Sequence, residues 1–445
     1  MVDWLRRGGS VVFVVLALLL GRAGADAAPW LFVTDIHLEA HPDGHRPSPL
    51  GSDTNAVLFA RALGEMHAAV PNPAVVVVGG DLLAHDMTRA HATKTAIAIA
   101  HDFNRVFPRA QFILALGNND SNCGDYGVTP NSPFLRDVAR AWAPLVNRHN
   151  AAPHFLQTFA RDGFYTATLP VRGTRAVVID DVFWSPRYRS GCGPARDASA
   201  AALRELDRAL PRSAQRSWLF LHIPPGIDAF STTHLTHRLA VVPFLDPGPR
   251  LQLTTLIGDP ARHVTLVVAG HTHKFAYRII DAAGADPVPM LLVPAISPIF
   301  RNAPSFLTAD VAPDGTVRNV VEISYVRGAW RNAGSLRSLG VRALTGPELV
   351  ALQGRLADDP GLRARFDALY NGDAPPEITE GNWRSYWCAA TAFASKDFRA
   401  CTNQGGFSIV TARGLKVVAV AMLGLIVLGA AIVLGLRLRP RRKAR

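Results

Sequence analysis

The 445-residue chain is poor in charge and in cysteine, and it contains neither an internal repeat nor a low-complexity tract. The absence of a repeat argues against a solenoid. Charged residues make up only 18% of the sequence and apolar residues 49%. This is an ordinary globular composition and excludes a wholly disordered chain. The length is sufficient for one large domain with smaller additions.

Positive charge is in excess, but its placement argues against a nucleic-acid-binding protein. The net charge is +12, and six of these twelve charges fall in the last nine residues, which leaves +6 for the rest of the chain. The six are Arg437, Arg439, Arg441, Arg442, Lys443 and Arg445. The main body is therefore only modestly basic, and we expect no nucleic-acid partner.

A run of twenty residues without charge, 417–436, directly precedes this basic tail. Twenty helical residues span the roughly 30 Å hydrocarbon core of a bilayer. We therefore expect a C-terminal transmembrane helix at 417–436. Basic residues flank such helices on the cytoplasmic side, so residues 437–445 are expected to form a cytoplasmic tail. The alternative, a nucleic-acid-binding arm, does not account for the apolar run.

The N-terminus has the features of an export signal. Arg6 and Arg7 precede ten uninterrupted apolar residues at 11–20, a run too short to span a membrane. Residues 23–25 (Ala-Gly-Ala) offer a cleavage site, with 25–27 as a shifted alternative. We expect a signal peptide over 1–25, or an uncleaved second anchor in its place. The main body is then extracytoplasmic (periplasmic, extracellular or lumenal) and anchored to the membrane.

The four cysteines are Cys123, Cys192, Cys388 and Cys401. An even number in an exported chain predicts two disulfide bonds, with free thiols as the alternative. A bond between Cys388 and Cys401 would close a short loop, and we favour it. The second disulfide would then join Cys123 to Cys192.

Short apolar runs that end in polar residues recur along the chain. The central one is 74–78, a valine-rich run followed by Gly79, Gly80 and Asp81. Such a run, bounded by glycines, predicts a buried strand of a parallel sheet. Further strands are predicted at 30–34, 111–116, 175–179, 217–221, 263–269 and 290–293. Helical periodicity lies between several of these strands, at 55–70, 88–107 and 199–210. The alternation predicts an α/β sandwich with mostly parallel pairing.

The character of the chain changes near residue 326. We expect the strands and helices described above to form one catalytic domain over 28–325. Beyond it, 346–370 predicts two short helices separated near Pro360, and 382–401 is rich in aromatic residues and holds one cysteine pair. A small helical, cysteine-containing subdomain is therefore expected over 326–410.

Seven potential metal ligands lie at, or within three residues of, the ends of the predicted strands. They are Asp35, His37, Asp81, Asn118, His222, His271 and His273. Strand ends of one sheet gather at one edge, so these side chains can converge. Imidazole, carboxylate and amide groups together favour Zn²⁺, Mn²⁺ or Fe over Ca²⁺ and Mg²⁺. Seven ligands exceed the needs of one ion, which predicts two divalent ions that share Asp81.

Each of these motifs also has a purely structural explanation. The Asp-x-His motif at 35–37 can cap a loop, and Gly-Gly-Asp at 79–81 is a common turn. Asn118 can be a turn residue, and His222 can be a buried, hydrogen-bonded histidine. The His-x-His motif at 271–273 is the most specific, because two imidazoles at alternate positions have little structural purpose. Five such motifs, in this order and each behind a strand, favour the metal site.

The five motifs together resemble the blocks of the calcineurin-like metallophosphoesterase superfamily. These blocks are Asp35-x-His37, Gly80-Asp81, Gly117-Asn118-Asn119-Asp120, His222 and Gly270-His271-x-His273. The resemblance covers about residues 30–310 and implies an α/β sandwich of two mixed sheets flanked by helices. It also implies one ion held by Asp35, His37, Asp81 and His273, and another held by Asp81, Asn118, His222 and His271. A water held between two such ions is deprotonated near neutral pH and attacks phosphorus.

Three further features resemble the acid sphingomyelinase-like and endopolyphosphatase-like branch of that superfamily. They are His85-Asp86 after the Gly-Asp motif, the sequence Ile-Ser-Pro-Ile-Phe-Arg-Asn at 296–302, and the aromatic, cysteine-paired C-terminal region. The resemblance implies an exported phosphodiesterase of sphingomyelinase type or a polyphosphatase. A catalytically silent receptor or scaffold is the alternative, and its expected mark would be loss of ligands. All seven ligands are present.

One position departs from the pattern of the superfamily. Most members carry a histidine that protonates the leaving oxygen where this chain has Asn119, which cannot donate a proton to an alkoxide. Endopolyphosphatase-like members resemble this chain in having Asn there, which fits the less demanding leaving group of a phosphoanhydride. Alternatively His85, matched by a histidine in the sphingomyelinase-like branch, supplies the proton. A third interpretation is that His85 only orients Asp81.

Overall fold

The computed structural model describes residues 28–40, 45–189, 198–233, 240–372, 374–403, 420 and 422–423. The predicted signal peptide and basic tail lie outside the described residues. So does the predicted transmembrane segment, apart from the helical residues Val420, Met422 and Leu423. Within the described ranges, no helix is both long and apolar enough to cross a membrane.

The described chain forms twelve strands and eleven α-helices. The strands are β1 (Ala28–Val33), β2 (Val75–Val78), β3 (Gln111–Leu114), β4 (Tyr165–Thr168), β5 (Thr174–Val178), β6 (Arg216–Phe220), β7 (Val264–Ala269), β8 (Ala276–Ile280), β9 (Val288–Leu292), β10 (Ser305–Val311), β11 (Val317–Val326) and β12 (Ala329–Ser335). The helices are α1 (Ala56–Ala69), α2 (Arg89–Val106), α3 (Pro133–Val146), α4 (Phe155–Asp162), α5 (Ala198–Ala209), α6 (Ala229–Thr233), α7 (Pro247–Gly258), α8 (Gly346–Asp358), α9 (Pro360–Tyr370), α10 (Trp383–Ala389) and α11 (Ser395–Asn403).

The strands form two mixed six-stranded sheets. The first has the order β12-β11-β10-β1-β2-β3 and the second the order β4-β5-β6-β7-β9-β8. In the first sheet β1, β2 and β3 run parallel, and in the second β5, β6, β7 and β9 run parallel. Buried residues of both sheets belong to one hydrophobic core. Trp30 of β1 contacts Trp218 of β6 at the centre, with ring centroids 5.1 Å apart.

The two mixed sheets expected from the resemblance are confirmed, but the expectation of mostly parallel pairing is wrong. Half of the strand pairings are antiparallel. In the first sheet they run from the β12 edge to the central pairing of β10 with β1, and in the second they are the two edge pairings. The unpredicted strands β4 and β12 show why. Exposed and buried residues alternate along β4, and no residue of β12 is buried. Neither therefore has the continuous apolar run that marks a strand buried on both faces.

The first sheet continues beyond residue 325, where the catalytic domain was predicted to end. Strand β12 pairs with β11 from Val326↔Ala329 to Val321↔Ser335, so the helical part begins after this strand. Helices α8 and α9 are separated at Asp359 and Pro360, at the predicted position.

The C-terminal helices are docked on the second sheet through β8. Ile279 N donates to Ala390 O at 2.8 Å, and Tyr277 Oη lies 2.6 Å from Gln353 Oε1. The predicted disulfide between Cys388 and Cys401 is present and joins α10 to α11. Cys123 is also disulfide-bonded, whereas its predicted partner Cys192 lies outside the described residues.

The start of α1 provides a test of the local structure. The Asn55 side chain accepts a hydrogen bond from Leu58 N at 3.0 Å and caps the helix. We expect Asn55→Ala to lower the free energy of unfolding by about 1 kcal/mol, because a helix-terminal N–H loses its partner. Thermal or urea unfolding measures this. Thr88→Ala is the control, since Thr88 precedes α2 without a side-chain cap bond, and an equal loss in both variants would contradict the assignment.

Candidate metal centre

The turns that follow five parallel strands bring the seven predicted ligands into one cluster between the sheets. Asp35 and His37 follow β1, Asp81 follows β2, Asn118 follows β3, His222 follows β6, and His271 and His273 follow β7. All except the half-buried His271 are buried. The cluster thus forms where the carboxyl ends of parallel strands from both sheets meet.

The first half of the cluster consists of Asp35, His37 and His273. The His273 Nε2 atom lies 3.3 Å from Asp35 Oδ1 and 3.2 Å from His37 Nε2. The ligand atoms of these three residues all fall within 4.8 Å of one another. This spacing suits three ligands around one cation.

The second half consists of Asp81, His222 and His271, whose ligand atoms also fall within 4.8 Å of one another. Asp81 Oδ2 lies 3.4 Å from His222 Nε2 in this half and 3.4 Å from His37 Nε2 in the first half. The Asp81 carboxylate therefore lies between the two halves, where a bridging ligand has to be.

Five of the ligands have left-handed backbone conformations. Their φ angles are 48° at Asp35, 45° at His37, 51° at Asp81, 68° at His271 and 60° at His273. Such a conformation costs an ordinary residue about 1–3 kcal/mol and persists only where the surrounding structure enforces it. The turns that aim these side chains into the cluster are thus strained, which is a feature of functional sites.

Backbone carbonyls fix the orientation of two imidazole rings. His37 Nδ1 donates to Leu83 O at 3.0 Å, and His222 Nδ1 donates to Gly79 O at 2.8 Å. Because a carbonyl oxygen only accepts, Nδ1 carries the proton in both rings. The Nε2 atom of each neutral ring therefore presents its lone pair to the cluster, as a metal-binding histidine does.

Several buried ligand atoms have no hydrogen-bond partner within the described part of the chain. They are Asp35 Oδ1, Asn118 Oδ1 and His222 Nε2. A buried acceptor without a partner is costly and requires an explanation such as an ion. The donor set and these unsatisfied atoms fit divalent cations, and Zn²⁺, Mn²⁺ and Fe match the chemistry of imidazole and carboxylate best.

Asn118 is oriented by a residue that the sequence did not single out. Its Nδ2 donates to Asp125 Oδ1 at 2.8 Å, which leaves its Oδ1 for the cluster. Asp125 is held in turn by Arg187 Nη2 at 3.1 Å, and the Arg187 guanidinium lies 4.4 Å over the ring of Tyr126. These three residues lie in loops away from the strand ends, so no sequence pattern connects them to the site.

Asn119, predicted as a catalytic position, contacts the bridging carboxylate instead of the open cavity. Its backbone N donates to Asp81 Oδ1 at 2.8 Å and its Nδ2 to Asp81 Oδ2 at 3.0 Å. The next residue, Asp120, accepts from Leu82 N at 2.8 Å and Gly117 N at 2.9 Å. The Asn-Asp pair therefore holds the turns after β2 and β3 together around Asp81.

His85 lies at the edge of the cluster and is bound by Asp53. Its Nδ1 is 3.0 Å from Asp53 Oδ1, and its backbone N donates to Asp53 Oδ2 at 2.9 Å. The ring stacks on His37, with centroids 4.4 Å apart, and its side chain is 34% exposed. Asp53 was missed because it lies in a polar loop, next to the site only in the folded chain.

His37, Asp53 and His85 form a third group whose ligand atoms fall within 4.8 Å of one another. In this group His85 Nδ1 is already bonded to Asp53. His37 Nδ1 donates to Leu83 O, and its Nε2 faces Asp81. The arrangement therefore fits an Asp–His dyad beside the cluster better than a further metal site.

The two buried carboxylates control the protonation of the histidines. Burial opposes protonation of His37, but Asp35 and Asp81 outweigh it and raise its pKa to about 9. His222 is likewise buried, and the same two carboxylates raise its pKa to about 10. Burial, together with the charge of His222, lowers the pKa of His271 to about 3. Without a metal, the carboxylates are thus compensated by protons on His37 and His222.

Comparison with known proteins supports the class of protein that the site indicates. The model of the family described as calcineurin-like phosphoesterase matches residues 28–275, more than half of the chain. The chain therefore belongs to the calcineurin-like phosphoesterase family, a class of metal-dependent hydrolases of phosphoric esters. This confirms the superfamily predicted from the sequence motifs.

Individual relatives are more distant. The sphingomyelinase phosphodiesterase D of Dictyostelium discoideum is 23% identical over 287 residues, which are 62% of this chain and 60% of the relative. The chain thus spans about 60% of the length of that relative. A putative 5'-nucleotidase from Staphylococcus aureus is 13% identical, with 72% of this chain and 54% of that one covered and a TM-score of 0.35. A 5'-nucleotidase precursor from Thermus thermophilus is 14% identical, with 74% and 59% covered and a TM-score of 0.32.

Metal uptake should release protons. Since His37 and His222 are protonated below pH 9 in the metal-free protein, each must lose its proton before Nε2 can bind a cation. The apparent affinity for Zn²⁺ or Mn²⁺ should therefore rise with pH between 6 and 8. Calorimetric titration in buffers of different ionisation enthalpy measures the released protons. Affinity that is independent of pH and buffer would contradict this.

The close approach of the turn after β7 to the turn after β1 gives a second test. A Cβ atom on Gly270 would overlap Thr34 Oγ1 and lie 2.8 Å from Asp35 Oδ2. We expect Gly270→Ala to displace Asp35 and to reduce the bound metal at least tenfold, measured by elemental analysis. Gly354→Ala in α8 is the control, since a Cβ there meets nothing within 4 Å. Full metal content in both variants would be inconsistent with the arrangement.

Proposed function

We propose that this protein hydrolyses a phosphodiester or a phosphoanhydride with two divalent metal ions, as a phosphodiesterase of sphingomyelinase type or a polyphosphatase. The observation that carries the proposal is the position of Asp81, whose Oδ2 lies 3.4 Å from one histidine of each half of the cluster. A single carboxylate between two sets of ligands is what a two-ion site requires. Two bound ions would supply Lewis acidity to the phosphoryl oxygens and lower the pKa of a water molecule.

The ligands divide as their geometry suggests. Asp35, His37 and His273 would hold one ion, Asn118, His222 and His271 would hold the other, and Asp81 would be shared. The relay from Arg187 through Asp125 keeps the Asn118 amide oxygen directed at its ion. Asn119 binds both oxygens of Asp81 and so fixes the bridge between the ions.

His85 protonates the leaving oxygen. Its Nδ1 is held by Asp53, which leaves Nε2 as the atom that exchanges a proton with substrate. The position beside His37 places the ring at the border between the cluster and the open cavity. Asn119 cannot take this role, because its side-chain amide is already bonded to Asp81.

The proposed location is outside the cytoplasm, at the membrane. The disulfide Cys388–Cys401 supports this, since such bonds persist in oxidising compartments. The apolar run at 417–436 and the basic residues behind it support a C-terminal anchor with a cytoplasmic tail. A silent receptor remains the alternative function, and it predicts no turnover of any phosphoester by the metal-loaded protein.

The assignment of His85 is tested by varying the leaving group. His85→Ala should reduce kcat on an alkyl-leaving phosphodiester by about 10²–10⁴-fold, because an alkoxide needs a proton. The loss on bis-p-nitrophenyl phosphate should be much smaller, since p-nitrophenolate leaves unprotonated. Asp53→Asn should also reduce kcat more on the alkyl-leaving phosphodiester than on bis-p-nitrophenyl phosphate, but by a smaller factor.

The controls separate the acid from the metal site. Asp81→Asn should abolish hydrolysis of both substrates and lower the metal content, whereas His101→Ala on the surface of α2 should change neither. Equal losses on both substrates in His85→Ala would refute the role of a general acid. Full activity of Asp81→Asn would refute the site itself.

A further inference from the structure

The cavity at the metal cluster extends well beyond it. A cavity of about 650 Å³ touches Asp81, Asn118, His271 and His273 and continues to the C-terminal helices. Its far wall is formed by aromatic side chains, and we call this part the aromatic chamber. The chamber is lined by Phe366, Tyr370, Trp383, Tyr386 and Trp387. The whole volume lies in the range of binding sites for small organic molecules.

Two polar atoms of the aromatic wall, on Tyr386 and Trp387, are already bonded within the protein. Tyr386 Oη donates to Glu377 Oε1 at 2.8 Å, and Trp387 Nε1 donates to Gln353 O at 2.8 Å. Gln353 also bonds Tyr277 Oη, at 2.6 Å. These two groups are therefore not available to an occupant of the chamber, which meets mainly the apolar surface of the rings.

Three cationic side chains that line the chamber, Lys274, Arg278 and Arg363, each have bonds to protein acceptors. Arg363 Nη1 donates to Leu356 O at 3.0 Å, and its guanidinium lies 4.4 Å over the ring of Trp383. Lys274 Nζ lies 3.0 Å from Glu377 Oε2 and is also bound by Asn371. Arg278 donates to Ile227 O at 2.9 Å and to the Ala389 carbonyl. These contacts hold the C-terminal helices against β8. Because the cations already bind protein acceptors, the chamber is poorly suited to a chain of phosphates.

The wall is held rigidly in place. Trp387 is followed by Cys388, whose disulfide to Cys401 closes the end of α10. Ala390 O accepts from Ile279 N of β8 at 2.8 Å. A preformed apolar chamber binds without the cost of ordering its own side chains.

We propose that the aromatic chamber binds an apolar substituent of the phosphoester, so that the C-terminal helices select substrates with an aliphatic chain or an apolar ring system. This inference rests on the proposed phosphoesterase function, because the chamber opens on the metal cluster. It favours a phosphodiester with one apolar group over inorganic polyphosphate, which is charged along its whole length. The aromatic rings supply dispersion contacts and exclude water from that group.

A series of esters with a constant leaving group tests the proposal. The full-length protein, reconstituted in lipid nanodiscs with Mn²⁺ or Zn²⁺, is assayed with methyl, butyl and hexyl p-nitrophenyl phosphate. Chemistry at phosphorus is the same in all three, so chain length reports only on binding. Burial contributes up to about fourfold per methylene group, and we expect kcat/KM to rise at least tenfold from methyl to hexyl.

Two variants locate the effect in the chamber. Trp387→Ala removes part of the wall, and Ile378→Asp places a charge in its half-buried rim with little effect on packing. Each should reduce the hexyl-to-methyl ratio to below about threefold. Val350→Ala is the control, because Val350 is exposed on the outer side of α8 and should leave the ratio as it is in the natural protein.

A binding measurement separates the chamber from catalysis. Hexyl phosphate should bind the natural protein at least tenfold more tightly than methyl phosphate in calorimetry, and Trp387→Ala should remove the difference. If no ester is hydrolysed but hexyl phosphate still binds more tightly than methyl phosphate, the chamber proposal is supported and the phosphoesterase function is refuted. If esters are hydrolysed but neither kcat/KM nor binding depends on chain length, the chamber proposal is overturned and the function stands. An equal hexyl-to-methyl ratio of kcat/KM in Trp387→Ala, Ile378→Asp and Val350→Ala would also overturn the chamber proposal.

Discussion

The whole site depends on two buried carboxylates that have to be neutralised. Asp35 and Asp81 lie within 4 Å of histidines of the cluster, and both are almost completely buried. Carboxylates in such a place need positive charge, which protons on His37 and His222 supply in the metal-free protein and divalent ions would supply in the active one. The strained turns and the close glycine contacts around them exist to keep these charges together. At Gly80, with φ of 98°, any side chain would strike the Gly117 backbone.

A second layer of contacts, made by hydrogen bonds around the cluster, fixes the orientation of its side chains. The carbonyls of Leu83 and Gly79 determine which ring nitrogens of His37 and His222 face the cluster, and Asp125 determines that the Asn118 amide oxygen faces it. Asp53 does the same for His85. The aromatic chamber lies beyond these contacts, at the far end of the cavity that opens on the cluster. The proposed chemistry would thus lie at the strand ends, and the proposed substrate selectivity would come from the C-terminal helices.

The strands and the clustering of the candidate ligands were predicted correctly from the sequence where a residue pattern was compatible with only one structure. Runs such as 74–78 are apolar on both faces, so they can only be strands buried between layers, and the ligands behind them had to gather at one edge. Strands β4, β8, β10, β11 and β12, which have antiparallel neighbours, were missed because polar residues interrupt the apolar runs that mark a buried strand. Asp53 and Asp125 were missed for a related reason, since a lone carboxylate in a polar loop has no periodicity to mark it.

The sequence by itself determined which side chains form the candidate metal centre, since each of the seven follows a predicted strand and could be recognised without knowledge of contacts. It also determined the superfamily, through the same five motifs. Only the tertiary structure decided which side chains support those ligands, that Asn119 serves the Asp81 bridge, and that C-terminal aromatic residues face the cluster. The physical reason is that sequence periodicity indicates only the local structure around a residue. The contacts between residues 118 and 125 and between residues 53 and 85 depend instead on how loops fold against the core.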